Sequence, residues 1–196
     1  VPRHLLTRIY GYELLMAPYA VAHLKIGLAL SQTGYQFKEN QRLQIYLTNS
    51  LEPPSPLAKW IPDFLAQETN AVNTVKQEQQ FTVVIGNPPY AGVSANMSET
   101  ASALVEPYKF VDGRPLGERQ HWLQDDYVKF IRLAQSTIQS SGTGILGYIT
   151  NHGYLDNPTF RGMRQNIMAS FPEISCTLNV QSPGFDKINA RELSGK

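Results

Sequence analysis

The sequence predicts an α/β fold, a parallel sheet with helices on both faces, and three observations carry that expectation. Short β-branched and aromatic runs alternate with longer stretches of helical periodicity along the 196 residues. The run Phe81 to Ile85 is apolar without clean alternation, as expected of a central parallel strand covered on both faces. Polar residues punctuate the predicted strand ends at Glu13, Asn49, Asn87 and Asn151, and ligands in open parallel sheets bind beyond the carboxyl ends of the strands.

Arg8 to Tyr12 reads as the first strand, with Glu13 where the chain turns into a helix. Pro18 suits the first turn of that helix, Val21, Leu24 and Leu28 recur at helical spacing, and Gly34 stops it. Leu43 to Leu47 is a second strand, ended by Thr48-Asn49-Ser50. Pro53-Pro54-Ser55-Pro56 is a loop, followed by a polar helical stretch to about Gln80. Gly86 ends the strand that begins at Phe81, and Asn87-Pro88-Pro89-Tyr90 follows it. Ala91 to His121 has little periodicity and several Gly and Pro, so it reads as a long loop of the kind that is functional or mobile in a compact domain. Leu123, Tyr127, Phe130, Ile131, Ala134 and Ile138 mark one face of a helix, with Asp125 and Asp126 near its start, where the dipole favours acids. Gly142-Thr143-Gly144 breaks it, and Ile145 to Ile149 is the next strand. Asn157 and Pro158 then read as cap and first-turn residue of a helix carrying Phe160, Met163, Ile167 and Phe171.

Composition excludes several classes of function. One cysteine, Cys176, rules out an internal disulfide or a cysteine-based metal cluster, and the four histidines show no spacing that puts two on one helical face. The expected metal set is therefore empty. No apolar run is long enough for a membrane span and the start lacks a secretory pattern, so the expected location is cytoplasmic. A net charge of +1 gives no global pull towards nucleic acid, so any such binding comes from local groups. At 196 residues the expectation is one domain.

The tetrapeptide carries the most chemistry. Methyl transfer to an exocyclic amine needs two acceptors for the amino hydrogens, because the nitrogen lone pair is otherwise delocalised into the ring. The Asn87 side-chain carbonyl and the Pro88 backbone carbonyl can supply them, and consecutive prolines aim both at one point. Tyr90 offers a face for a flipped base, and such stacking contributes ~1–3 kcal/mol per base. The same four residues would serve as a rigid turn. Similar tetrapeptides also occur in families that methylate adenine in DNA, guanine in RNA or a glutamine amide in protein.

Longer blocks narrow the choice. Gly11-Tyr12-Glu13-Leu14-Leu15-Met16-Ala17-Pro18-Tyr19-Ala20-Val21-Ala22-His23-Leu24-Lys25, Ile45-Tyr46-Leu47-Thr48-Asn49-Ser50-Leu51-Glu52 and Ile85-Gly86-Asn87-Pro88-Pro89-Tyr90 resemble the methyltransferase region of Type ISP restriction-modification enzymes. So do Tyr108 to Gly113, Trp122 to Arg132 and Tyr148 to Arg164, and the likeness spans residues 3 to 171. The resemblance implies a Rossmann-like sheet, S-adenosylmethionine as methyl donor, and adenine N6 of DNA as acceptor. It makes Asn87, Pro88 and Tyr90 catalytic, matches Glu13 to the acid that binds the cofactor ribose, and matches Asn49 to the residue facing the cofactor adenine. Asn49 and Asn151 serve equally well as turn formers.

Two departures qualify the likeness. The family carries a glycine-rich loop after its first strand, upstream of the matched acid, and Val1 to Arg8 contain no glycine. The expectation is therefore a partial sheet, with the first strand and glycine loop missing and sheet edges open to self-association. Likeness fades beyond Phe171, which divides the chain into a partial methyltransferase domain at 1–171 and a divergent tail at 172–196, with Phe185 a candidate for the second aromatic wall of the base pocket. The alternative function is a non-catalytic remnant that binds DNA or protein.

Overall fold

The computed structural model describes residues 2–39, 41–54, 63–89, 92, 94, 96–117 and 120–176. Tyr90, Phe185 and the Ser55-Pro56 end of the proline-rich loop lie outside the described residues. The chain forms two compact units, Val1–Gln79 and Gln80–Lys196. Helices and parallel strands alternate in both, so the fold is α/β as the sequence predicts.

In the N-terminal unit, β1 (Tyr10–Glu13) and β2 (Gln44–Leu47) pair in parallel with Glu13 opposite Leu47. Helix α1 (Met16–Gln32) crosses between them, and α2 (Asp63–Glu78) follows β2. Pro18 lies in the first turn of α1, where its missing N–H costs no intrahelical bond. The face of α1 that packs is offset from the Val21, Leu24 and Leu28 stripe: those three stay exposed, while Leu30 is buried with Leu6, Leu43 and Ile45, flanked by Tyr19, Ala22 and Ile26. Apolar side chains occur on most sides of this helix, so periodicity alone could not select the buried one. Arg42 ties β2 to α2 through a two-pronged ion pair with Glu68, at 2.6 and 3.0 Å.

In the C-terminal unit, β3 (Val83–Gly86) and β6 (Ile145–Tyr148) pair in parallel, with Gly86 opposite Tyr148. The structure corrects two expectations here. The strand begins at Val83 rather than Phe81, with Gly86 as its last residue. The strand is also not covered on both faces: Val83 is 57% and Ile85 79% exposed, on the same side as exposed Ile145 and Ile149. The stretch read as a long loop is also structured. It holds a short helix α3 (Glu99–Ala103), capped by the Ser98 hydroxyl accepting from the Ala101 N–H at 3.1 Å, and a 3₁₀ turn at Glu106–Lys109. An antiparallel hairpin follows, β4 (Phe110–Val111) and β5 (Arg114–Pro115). Val105 and Tyr108 from this stretch are fully buried, so it contributes core rather than surface.

Helix α4 (Asp126–Ser141) buries Tyr127, Ile131, Ala134 and Ile138 as predicted, leaves Phe130 half-buried, and ends at Gly142 in the left-handed conformation. After the short α5 (Gly153–Asp156), Asn157 accepts from the Thr159 N–H at 2.9 Å and caps the 3₁₀ turn leading into α6 (Arg161–Ser170). The Tyr108 hydroxyl donates to Gln135, whose amide donates to the Asn166 carbonyl and to Ser170, so α4 and α6 share a satisfied polar seam beside the apolar core. Among the described residues, no helix is long and apolar enough to cross a membrane.

Candidate active site

Glu13 closes β1 and Asn49 lies two residues beyond β2, so both stand at the carboxyl ends of paired parallel strands. The Thr48 N–H donates to the Glu13 carbonyl at 2.8 Å and extends that pairing by one residue. One Glu13 carboxylate oxygen accepts from the Leu15 N–H at 3.0 Å, which orients the side chain at the start of α1. The Asn49 side-chain oxygen accepts from the Leu51 N–H at 3.0 Å, an Asx turn of the kind its alternative role requires.

Sequence reading missed Lys76. Its ammonium donates to the Thr48 hydroxyl at 3.0 Å and to the carbonyls of Asn49 at 2.7 Å and Glu52 at 2.9 Å, gathering the strand-end loop onto α2. Burial lowers its pKa, with the Glu52 carboxylate opposing. A lysine near the end of a polar helix gives no sequence signal beyond a solvated face. Thr48, Asn49, Asn73 and Lys76 line a cavity of about 230 Å³. That is below the ~300–1,000 Å³ of whole small-molecule pockets, and Glu13 is not among the residues that line it. A carboxylate with one oxygen beyond its turn bond suits ribose hydroxyls.

In the C-terminal unit, Asn87 and Pro88 directly follow β3, and Asn151 lies three residues beyond β6. Pro88 is buried, whereas Asn87 and Pro89 are exposed. The Asn151 side-chain oxygen accepts from the Gly153 N–H at 2.7 Å, so it forms a turn. Asn87 differs: its exposed side chain makes no hydrogen bond among the described residues. Beneath it, an added Cβ on Gly86 would lie 3.1 Å from the Tyr148 ring, whose hydroxyl pKa burial pushes up to about 12.

A second group escaped sequence reading. Asp125 and Asp126 stand at the start of α4 as expected, and the Asp125 side chain at the N-cap position makes no cap bond to the helix. Asp125 accepts instead from the Gly92 N–H at 3.1 Å and Asp126 from the Ser94 hydroxyl at 2.5 Å. Lys129 donates to the Ser94 hydroxyl at 2.8 Å and to the Asn96 carbonyl. Burial lowers the Lys129 pKa, opposed by Asp126 and Asp125. A lysine between Val128 and Phe130, inside a buried helical run, was the signal available.

With this geometry in hand, comparison places the chain among known proteins. The family described as the Eco57I restriction-modification methylase matches residues 8–177. No curated protein matches. A nuclease-deletion mutant of the Type ISP restriction-modification enzyme LlaGI, in complex with a DNA substrate mimic, is similar over 87% of this chain and 14% of its own, at 20% identity and a TM-score of 0.69. The ATP-dependent Type ISP enzyme LlaBIII bound to DNA gives 85% and 12% coverage, 22% identity and 0.68. DrdV in its DNA complex gives 83% and 16%, 22% and 0.65. The chain therefore spans about a seventh of the length of such enzymes and shares the fold of that region.

Proposed function

The chain belongs to the Eco57I restriction-modification methylase family, and from that premise we propose that it carries the target-base site and part of the cofactor site of a DNA adenine-N6 methyltransferase. Residues 1–171 form the partial methyltransferase domain and 172–196 the divergent tail. The supporting observation is the state of Asn87. Of the asparagines following strands or capping turns, Asn49, Asn151 and Asn157 each accept from a nearby backbone N–H, while the Asn87 amide is exposed and makes no hydrogen bond among the described residues. Its oxygen is available to accept from an adenine amino group, beside a Pro88 carbonyl whose ring and successor fix the backbone. Tyr90, outside the described residues, is assigned the stacking face on sequence grounds.

S-adenosylmethionine, when bound, supplies an electrophilic sulfonium methyl. Glu13 and Asn49 would hold its ribose and adenine end, and Lys76 keeps the Asn49 loop in place. The two acceptors at Asn87 and Pro88 draw on the amino hydrogens and favour the pyramidal nitrogen of the transition state, so their effect falls on the chemical step. Self-association is a second reading, favoured by the exposed apolar side of β3 and β6. Sedimentation velocity across a concentration series tests it, and a monomer throughout rejects it.

The main test transplants residues 8–177 into the matching region of LlaGI and follows labelled methyl transfer to DNA. Transfer to adenine is expected, with Asn87→Ala lowering the rate by at least about 10² while cofactor affinity changes little. Transfer to cytosine or to a protein glutamine would overturn the assignment.

A further inference from the structure

We propose that Asp125 is a positioning residue for the target-base site, its carboxylate anchoring the chain as it leaves the Asn-Pro-Pro-Tyr tetrapeptide. The proposal rests on the reading of Asn87 and Pro88 given above. Gly92, Ser94 and Asn96 are each held by the first turn of α4: Gly92 by Asp125 at 3.1 Å, Ser94 by Asp126 at 2.5 Å and by Lys129 at 2.8 Å, and Asn96 by Lys129. The side chains of these three residues offer no apolar anchor, so at Gly92, Ser94 and Asn96 the holding contacts are polar.

The arrangement is costly for a helix start. Asp125, Asp126 and Lys129 are 6%, 7% and 0% exposed, and buried charges are tolerated only when paired and hydrogen-bonded. An ordinary N-cap acid would bond to the second or third helical N–H, which Asp125 does not do. One of its oxygens reaches Gly92, and the other, Oδ1, is buried with no hydrogen-bond partner among the described residues. A buried acceptor without a donor is tolerated where the surroundings fix it for another purpose. Gly92 supplies the complementary half. Its φ of +73° is a conformation L side chains rarely adopt, and it turns the N–H towards the carboxylate.

The functional consequence follows from the tetrapeptide's task. Two carbonyls must converge on one amino group within about 0.5 Å to act in a transition state. The prolines fix Pro88 and Pro89 from within, and β3 fixes Asn87 from upstream. The downstream side is fixed at Gly92, two residues past Tyr90, by Asp125.

The test uses the 196-residue chain labelled with ¹⁵N and with methionine methyl ¹³C. Deoxyadenosine is titrated while the Asn87 side-chain amide and the backbone exchange of Gly92 are followed, and the buried Met163 methyl reports on the core. In the unsubstituted chain, Asn87 is expected to shift on titration and Gly92 to exchange slowly. Asp125→Ala should raise Gly92 exchange and weaken deoxyadenosine binding, each by about tenfold, the equivalent of one charge-assisted hydrogen bond. Asp125→Asn, which keeps an acceptor, should restore both. Unchanged Gly92 exchange and Asn87 response in Asp125→Ala would overturn the proposal, as would a loss in Asp125→Asn as large as in alanine. If Asn87 ignores deoxyadenosine in the unsubstituted chain while Asp125→Ala still frees Gly92, the base-site reading fails and the anchor is structural, which also rejects the positioning role. Should Asp125→Ala lose the Met163 signal, Asp125→Ser, which keeps a polar residue at the helix start but shortens the side chain that reaches the Gly92 N–H, replaces it, and an undiminished deoxyadenosine response in that variant counts against the proposal.

Discussion

The two units present functional residues at strand ends by different means. Among the described residues of the N-terminal unit the buried apolar cluster comprises Leu6, Leu30, Leu43 and Ile45, and the strand-end loop is held by Lys76 and by the side-chain-to-backbone turns of Glu13 and Asn49. In the C-terminal unit eight buried residues, among them Tyr108, Tyr127, Phe160 and Met163, form the cluster, and a buried charge network holds the segment after the tetrapeptide. On the proposed roles, two carbonyls converging on one atom would demand stiffer support than a carboxylate meeting ribose hydroxyls. The size of the second cluster is consistent with that demand.

The sharpest way to break the comparison is at Gly162. A Cβ there would collide with the Tyr108 carbonyl and come within 2.5 Å of the Phe110 carbonyl, both backbone atoms that cannot swing aside. Gly162→Ala is expected to cost on the order of 4 kcal/mol or more, because α6 must withdraw from the Tyr108 turn and open the core. Hydrogen exchange read by mass spectrometry should show deprotection across residues 99–170 with residues 10–47 little changed. Equal deprotection of both regions, or none, would remove the distinction drawn here.

A second, smaller effect concerns alkaline pH. Burial raises the pKa of Tyr108, Tyr127, Tyr148 and Tyr154 in the C-terminal unit, and of Tyr12 and Tyr46 in the N-terminal one. A raised folded value means the folded ring keeps a proton that the unfolded ring releases near 10. That contribution to stability is fully present below pH 10 and is lost as pH rises towards the folded values, about 12 for Tyr12 and Tyr148. The lowered lysines act oppositely, but each unit has one, Lys76 and Lys129, so they do not decide the comparison. Between pH 10 and 12 the C-terminal unit should lose more stability, measured by urea midpoints with exchange readout for each unit. A steeper loss in the N-terminal unit would contradict the burial difference.

Much of this was legible in the sequence, and the failures have physical causes. The alternation of strands and helices, the Asn157 cap and the buried face of α4 were readable because each depends on local chemistry and a clean period. The buried side of α1 was not, because an all-round apolar helix offers no contrast. The segment Ala91 to His121 was read as a loop because its core residues, Ala101, Val105, Tyr108 and Leu116, follow turns rather than a single period. The strand-end positions of Glu13, Asn49 and Asn87 could be read from the strands preceding them. Lys76, Asp125, Asp126 and Lys129 could not, since their partners lie 24 to 35 residues away in sequence.

The smallest expected effect, and the one that sharpens the contrast, is at Gly27 in the middle of α1. Nothing lies within 4 Å of a Cβ placed there, whereas at Gly162 the same atom meets backbone on two sides. In a helix interior, glycine is less stable than alanine by roughly 0.5–1 kcal/mol, chiefly because the unfolded chain has more freedom to lose. Gly27→Ala meets no steric opposition, so it should stabilise the N-terminal unit by about that amount. One chemical change, the addition of a methyl group to a helical glycine, would then have opposite signs in the two units. Exchange protection of α1 amides in Gly27→Ala, compared with the unsubstituted chain at the same urea concentration, measures it. Reduced protection would mean that the exposed side of α1 makes contacts in solution, and that the N-terminal unit is more closely packed than its four-residue cluster indicates.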